Sequence, residues 1–182
     1  MPALQPPLKL TDRRRCVLAT VEDARRHLRD WEATEDSIDT LIDQNYLLAW
    51  DIALHGQSGS DPDKLRKDKS PRARELRILP ESITHFDMFG GRRKFEWSEE
   101  KIFKRLFEGL VGTSSTSSVE IITSADLRLL FNCGPTHITN LIDARQLNQV
   151  PGTAYTTGPK GAAKIYLREL RRFLQTRFEG AL

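Results

Sequence analysis

The stretch from Thr123 to Phe173 constrains the fold of this chain more than any other. It opens on a short amphipathic segment, Ala125 to Phe131, with Leu127, Leu130 and Phe131 at helical spacing and Ser124 placed to cap it. Asn132-Cys133-Gly134 reads as a tight turn in which Gly134 tolerates a positive φ. Pro135 suits the first turn of a helix, where its missing N–H costs nothing, so Thr136 to Arg145 is predicted to be a second helix that turns Ile138, Leu141 and Ile142 inward. Leu147–Val150 is then expected as a short strand, Pro151–Gly161 as a Gly/Pro/Thr-rich loop and Lys164–Tyr166 as the return strand. A closing helix buries Leu167, Leu170, Phe173 and Leu174 and carries Arg168, Arg171, Arg172 and Arg177 on its other face.

The same order occurs earlier in the chain. Ser37-Ile38-Asp39-Thr40-Leu41-Ile42-Asp43 matches His137-Ile138-Thr139-Asn140-Leu141-Ile142-Asp143 at a separation of 100 residues, and Leu47 matches Leu147. Downstream, Arg77-Ile78 through Phe86 match Lys164-Ile165 through Phe173 at a separation of 87. Val21, Ala24 and Leu28 supply the preceding amphipathic segment. Two matched blocks in one order argue for a duplicated unit. Between the copies, Gly90-Gly91 breaks the chain, and a helix is expected over 98–110 with Ile102, Phe103, Leu106, Phe107 and Leu110 in one stripe. Thr113–Ser118 follows as a linker. The stripe requires a cover, either the first copy or a second molecule in a homodimer. Trp31, Tyr46 and Trp50 read as core residues.

Charge divides the copies. The chain carries +3 overall, but residues 21–54 sum to −6, while 1–20, 55–77 and 119–182 each sum to +3 and 78–118 to zero. The helix predicted over 34–45 holds Glu35, Asp36, Asp39 and Asp43 and no basic residue, which fits a protein-facing surface better than a polyanion. The loop after it, 55–77, reads as a long basic wing or disordered insertion in which Lys64, Arg66, Lys67, Lys69, Arg72 and Arg74 can follow a phosphate backbone or a minor groove of DNA. In the second copy the outward residues Thr136, His137, Thr139 and Asn140 are short polar groups suited to base edges and phosphates. Arg145, Tyr155, Thr156, Thr157, Lys160 and Lys164 can follow a backbone.

On these residues, 120–178 resemble the excisionase and MerR-type winged helix-turn-helix family, with a weaker second copy over 20–86. The resemblance rests on Thr136 through Ile142, Leu147, and Lys164 through Arg168-Glu169-Leu170 to Phe173-Leu174. The chain departs from the family at Gln146, where a glycine is usual before the strand, and in a longer wing. The resemblance implies DNA binding by Pro135–Arg145 and the wing. The expected fold class is mainly α with small β-hairpin wings (α+β), as two winged helix-turn-helix units joined by a helix and a Ser/Thr-rich linker. The expected divisions are a basic arm over 1–19, a divergent unit over 20–86, a connection over 87–118 and a DNA-binding unit over 119–182.

Other classes find little support. No phosphate-binding loop, dinucleotide fingerprint or nucleophile elbow is present. The four histidines are dispersed and two distant cysteines, Cys16 and Cys133, make no zinc ribbon, so no metal, cofactor or enzymatic activity is expected. No apolar run approaches a membrane span and no signal peptide is recognisable, so a cytoplasmic protein with reduced thiols is expected, nucleoid-associated or encoded by a phage or plasmid. The expected function is sequence-specific binding of double-stranded DNA by an accessory or regulatory protein of recombination or transcription. The alternative is an assembly module built from winged helices, with weak or no DNA binding.

Overall fold

A computed structural model of the chain describes residues 18–54, 74–108, 121–151 and 163–180. The N-terminal arm up to residue 17 and the Thr113–Ser118 linker lie outside these residues. Among these residues the architecture is mixed α/β with two small antiparallel sheets. The first half runs β1 (Ala19–Thr20), α1 (Val21–His27), α2 (Glu35–Asp43), β2 (Ala49–Asp51), β3 (Leu76–Ile78) and α3 (Pro80–Phe89). Helix α4 (Glu99–Glu108) leads to the second half: β4 (Ile121–Thr123), α5 (Ser124–Leu130), α6 (Pro135–Asp143), β5 (Lys164–Tyr166), α7 (Leu167–Arg177) and β6 (Phe178–Glu179).

The residues matched in sequence make matching local structure. Helices α1 and α5 both start in a capping box, Thr20 with Asp23 and Thr123 with Asp126. Strand β1 pairs with β3 through Ala19–Ile78 and Thr20–Arg77, and β4 pairs with β5 through Ile122–Ile165 and Thr123–Lys164. The 87-residue separation seen in sequence is thus kept in register. After α2, Asn45 takes φ 62°, and the N–H groups of Tyr46 and Leu47 both donate to Leu41 O. After α6, Arg145 takes φ 56°, and Gln146 and Leu147 donate in the same way to Leu141 O. The halves differ after the first helix, where the first adds a short 3₁₀ turn, Arg29–Trp31.

Local chemistry departs from the sequence expectations at several points. Thr123, not Ser124, caps α5, because its hydroxyl reaches the Asp126 N–H from an extended backbone. In the turn between α5 and α6 the positive φ falls on Asn132 (49°), while Gly134 is the extended N-cap of α6 at φ −77°. The left-handed position before Leu147 is Arg145 rather than Gln146. Residues 147–150 form no strand; the Val150 N–H donates to Lys164 O at 2.8 Å, and β5 pairs with β4. Trp50 is buried, but Trp31 is 48% exposed and lies against the surface.

The tertiary arrangement joins the halves. Sheet order is β1-β3-β2-β6, so the C-terminal strand completes the sheet of the first half. One apolar core runs from Leu18, Trp50, Ile52 and Leu79 through Ile102, Phe103 and Leu106 of α4 to Leu127, Phe131, Ile138, Leu170 and Phe173. A smaller core lies beneath α1, α2 and α3 around Leu28, Ile38, Ile42 and Phe86. Of the α4 stripe, Ile102, Phe103 and Leu106 are covered within the chain, one of the two covers the sequence allows, and Leu110 lies outside the described residues. Ser98 caps α4, accepting from the Lys101 N–H at 3.2 Å. Glu81 of α3 pairs with Arg105, and Gln175 of α7 donates to Glu99 at 2.8 Å.

Candidate nucleic-acid interface

The site builds from α6. Its inner face is fixed by Ile138, Leu141 and Ile142, all buried, and this spacing turns Thr136, Asn140 and Asp143 to solvent, with Thr139 half-buried beside them. Asn140 makes no side-chain hydrogen bond among the described residues, whereas the Thr139 hydroxyl donates to Pro135 O at 3.0 Å. Gly134 supplies no side-chain cap, so the N–H groups of the first turn are left without the capping oxygen that Thr34 provides at α2. Arg145 and Lys164 are exposed and, among the described residues, make no ion pair.

His137 is placed differently from its neighbours. Its Nε2 lies 2.6 Å from Ile52 O, and a carbonyl only accepts, so Nε2 carries the hydrogen. Nδ1 stands 3.5 Å from Glu75 Oε2, and the side chain is 17% exposed. The ring thus docks the first turn of α6 on the first half rather than standing free for a duplex. Arg74 is likewise turned inward: its side chain is 9% exposed, 2.7 Å from Asp39 and 3.7 Å from Glu179. Burial, with Asp43 and Asp36 adding to it against the pull of Arg74, raises the Asp39 carboxyl above its ordinary value. Asp36 and Asp43 stay exposed on α2, so an acidic surface is present there.

The docking point is also the root of the basic segment. Buried Asp51 accepts from the N–H groups of Ala53 (2.9 Å) and Glu75 (3.1 Å), and the Ile52 N–H donates to Glu75 O, fixing both ends of the chain segment that carries Lys64, Arg66, Lys67, Lys69 and Arg72. Those five residues lie outside the described residues, as do Tyr155, Thr156, Thr157 and Lys160. Sequence reasoning passed over Asp51 and Arg128. Asp51 was hidden because an aspartate at a strand end reads as solvated. Arg128, exposed on α5, lines a shallow depression of about 450 Å³ with Ala125, Leu129, Asn132, Cys133 and Gly134, beside the start of α6. Its place on the outer face of an amphipathic helix was the available signal.

Comparison with known protein families, curated proteins and solved structures gives no match. Among the described residues, no three His, Cys, Asp or Glu side chains are grouped to hold a metal ion, and no helix is long and apolar enough to cross a membrane.

Proposed function

We propose that this chain binds double-stranded DNA sequence-selectively, as a tandem winged-helix accessory or regulatory protein of recombination or transcription. The observation that carries this reading is the His137–Ile52 contact, which sets the first turn of α6 against the root of the basic segment. The polar face of α6 then stands beside Ile52 and Glu75, between which the basic sequence runs. The helix supplies Thr136, Thr139 and Asn140 for base edges, and its uncapped N-terminus favours a phosphate. Arg145, Lys164 and Arg128 flank it, exposed and without an ion pair among the described residues. His137 acts by positioning the helix, so its removal should weaken binding on all sequences alike.

A protein-assembly role is favoured by one observation, the exposed acidic face of α2 with Asp36 and Asp43. The two roles are compatible if α2 meets a basic partner while α6 meets DNA. Selection of bound sequences from random duplex DNA tests the reading, with Asn140→Ala as the companion variant. An enriched motif that loses definition at one position in the variant is expected. No enriched motif, or selectivity unchanged in Asn140→Ala, would sink the assignment of α6 as the reading helix.

A further inference from the structure

A second basic surface stands on the first half, in a segment whose charges sum to zero over 78–118. After α3 the chain makes a 3₁₀ turn, Gly90–Arg92, and then presents Arg92, Arg93 and Lys94 in succession, all exposed. The turn is built on rings. Trp31 and Tyr46 pack on Phe86 with centroids 5.2 and 5.7 Å away. Gly90 has φ +56°, and a Cβ on it would lie 2.6 Å from Trp31 Cη2, so only glycine passes beneath the indole in this conformation. The Tyr46 hydroxyl donates to Gly91 O at 3.2 Å.

Each cation is held from below. Arg92 Nε donates to Phe89 O at 3.1 Å, the Arg93 guanidinium lies 5.2 Å from the Phe89 ring centre, and Lys94 Nζ lies 5.8 Å from that of Tyr46. None of the three makes an ion pair among the described residues, in contrast to Arg74, Arg77, Arg105 and Arg172, which all face carboxylates. Nearby Asp87 is directed elsewhere, accepting from Trp31 Nε1 at 3.2 Å and facing His27 at 3.6 Å.

We propose that Arg92, Arg93 and Lys94 form a contact surface for the phosphodiester backbone of duplex DNA. Choosing DNA as the polyanion rests on the DNA-binding reading above; the cation cluster itself is independent of α6. Three cations in three residues match a polymer with a charge at every phosphate. Side chains already held by a carbonyl, as Arg92 is, or over a ring, as Arg93 and Lys94 are, lose less freedom when a phosphate arrives. The contact carries no sequence information, so it adds affinity and salt dependence but not selectivity.

The test measures binding of the full chain to a random-sequence duplex across a salt series. In Arg92→Gln/Arg93→Gln/Lys94→Gln, the slope of log K against log salt should fall by about 2 to 3, since each phosphate contact contributes about 0.9. Arg92→Lys/Arg93→Lys should keep the parental slope. If the triple variant does not fold, the single variants Arg92→Gln and Lys94→Gln should each lower the slope by about 0.9. An unchanged slope in variants that bind and fold like the parent overturns this surface and leaves the α6 reading standing. A parent chain that binds no duplex overturns both. Binding of polyglutamate by that parent, lost in the triple variant, would reassign the cluster to an acidic protein and so also overturn the proposal.

Discussion

Replacing Arg77 by methionine should loosen the joint between the two halves. Arg77 lies on β3, opposite Thr20, where the second half has Lys164 opposite Thr123. Lys164 points to solvent, but the Arg77 side chain is 8% exposed and reaches across the joint. Its Nε donates to Phe131 O at 2.6 Å, Nη1 to Leu76 O at 3.0 Å and Nη2 to Asn132 O at 3.3 Å. Phe131 and Asn132 close α5, so Arg77 satisfies carbonyls that the helix end leaves open and brings a positive charge to the negative end of its dipole. Methionine keeps much of the stem volume and removes every donor. A bond from a charged donor to a buried carbonyl is worth about 1.5–3 kcal/mol, and two of these carbonyls belong to buried residues. Against that gain stands the desolvation of the guanidinium, which the methionine no longer requires. The longer bond to exposed Asn132 and the pair with Glu75, 43% exposed, add little. The balance is a loss of about 2–4 kcal/mol. Urea unfolding followed by tryptophan fluorescence and far-ultraviolet circular dichroism reads it, since Trp50 lies in the shared core against Phe178 at 6.0 Å. A loss below about 1 kcal/mol at unchanged urea dependence would show that packing alone holds the joint.

Two further predictions concern titrating groups. At Glu169, burial alone would raise the carboxyl, but hydrogen bonds from Arg172 and from the Asn148 N–H outweigh it and hold it below its ordinary value of 4.5. A depressed carboxylate contributes stability that is present above that ordinary value and lost as pH falls through the lowered one. Glu169→Gln should therefore flatten the fall in urea midpoint below pH 4.5, and an unaltered acid limb would refute it. The Cys133 thiol is pushed up to about 11 by burial, which Arg77 only partly counters. In a Cys16→Ser background, alkylation at pH 8 should run about a hundredfold slower than for a free thiol and rise steeply above pH 10. Alkylation at the free-thiol rate would show the site open.

The sequence by itself determined the repeated local structure. The Ile-Leu-Ile spacing of α2 and α6, the turns that follow them and the strand register opposite Thr20 and Thr123 depend on residues close together in the chain, so the 100- and 87-residue separations read as geometry. The contrast between acidic α2 and polar α6 was legible for the same reason. Segment sums of charge, however, averaged away Arg92, Arg93 and Lys94, because only a folded turn shows which cations stand clear of carboxylates. Tertiary structure alone decided that β6 completes the first sheet, that both halves bury α4, and that His137, Arg74 and Arg77 face inward. The three side chains each turn on a partner 35 or more residues away: Arg74 on Asp39, Arg77 on Phe131 and His137 on Ile52. A polar side chain carries no mark of whether its partner will be water, a phosphate or a distant carbonyl; the packing of the two halves makes that choice.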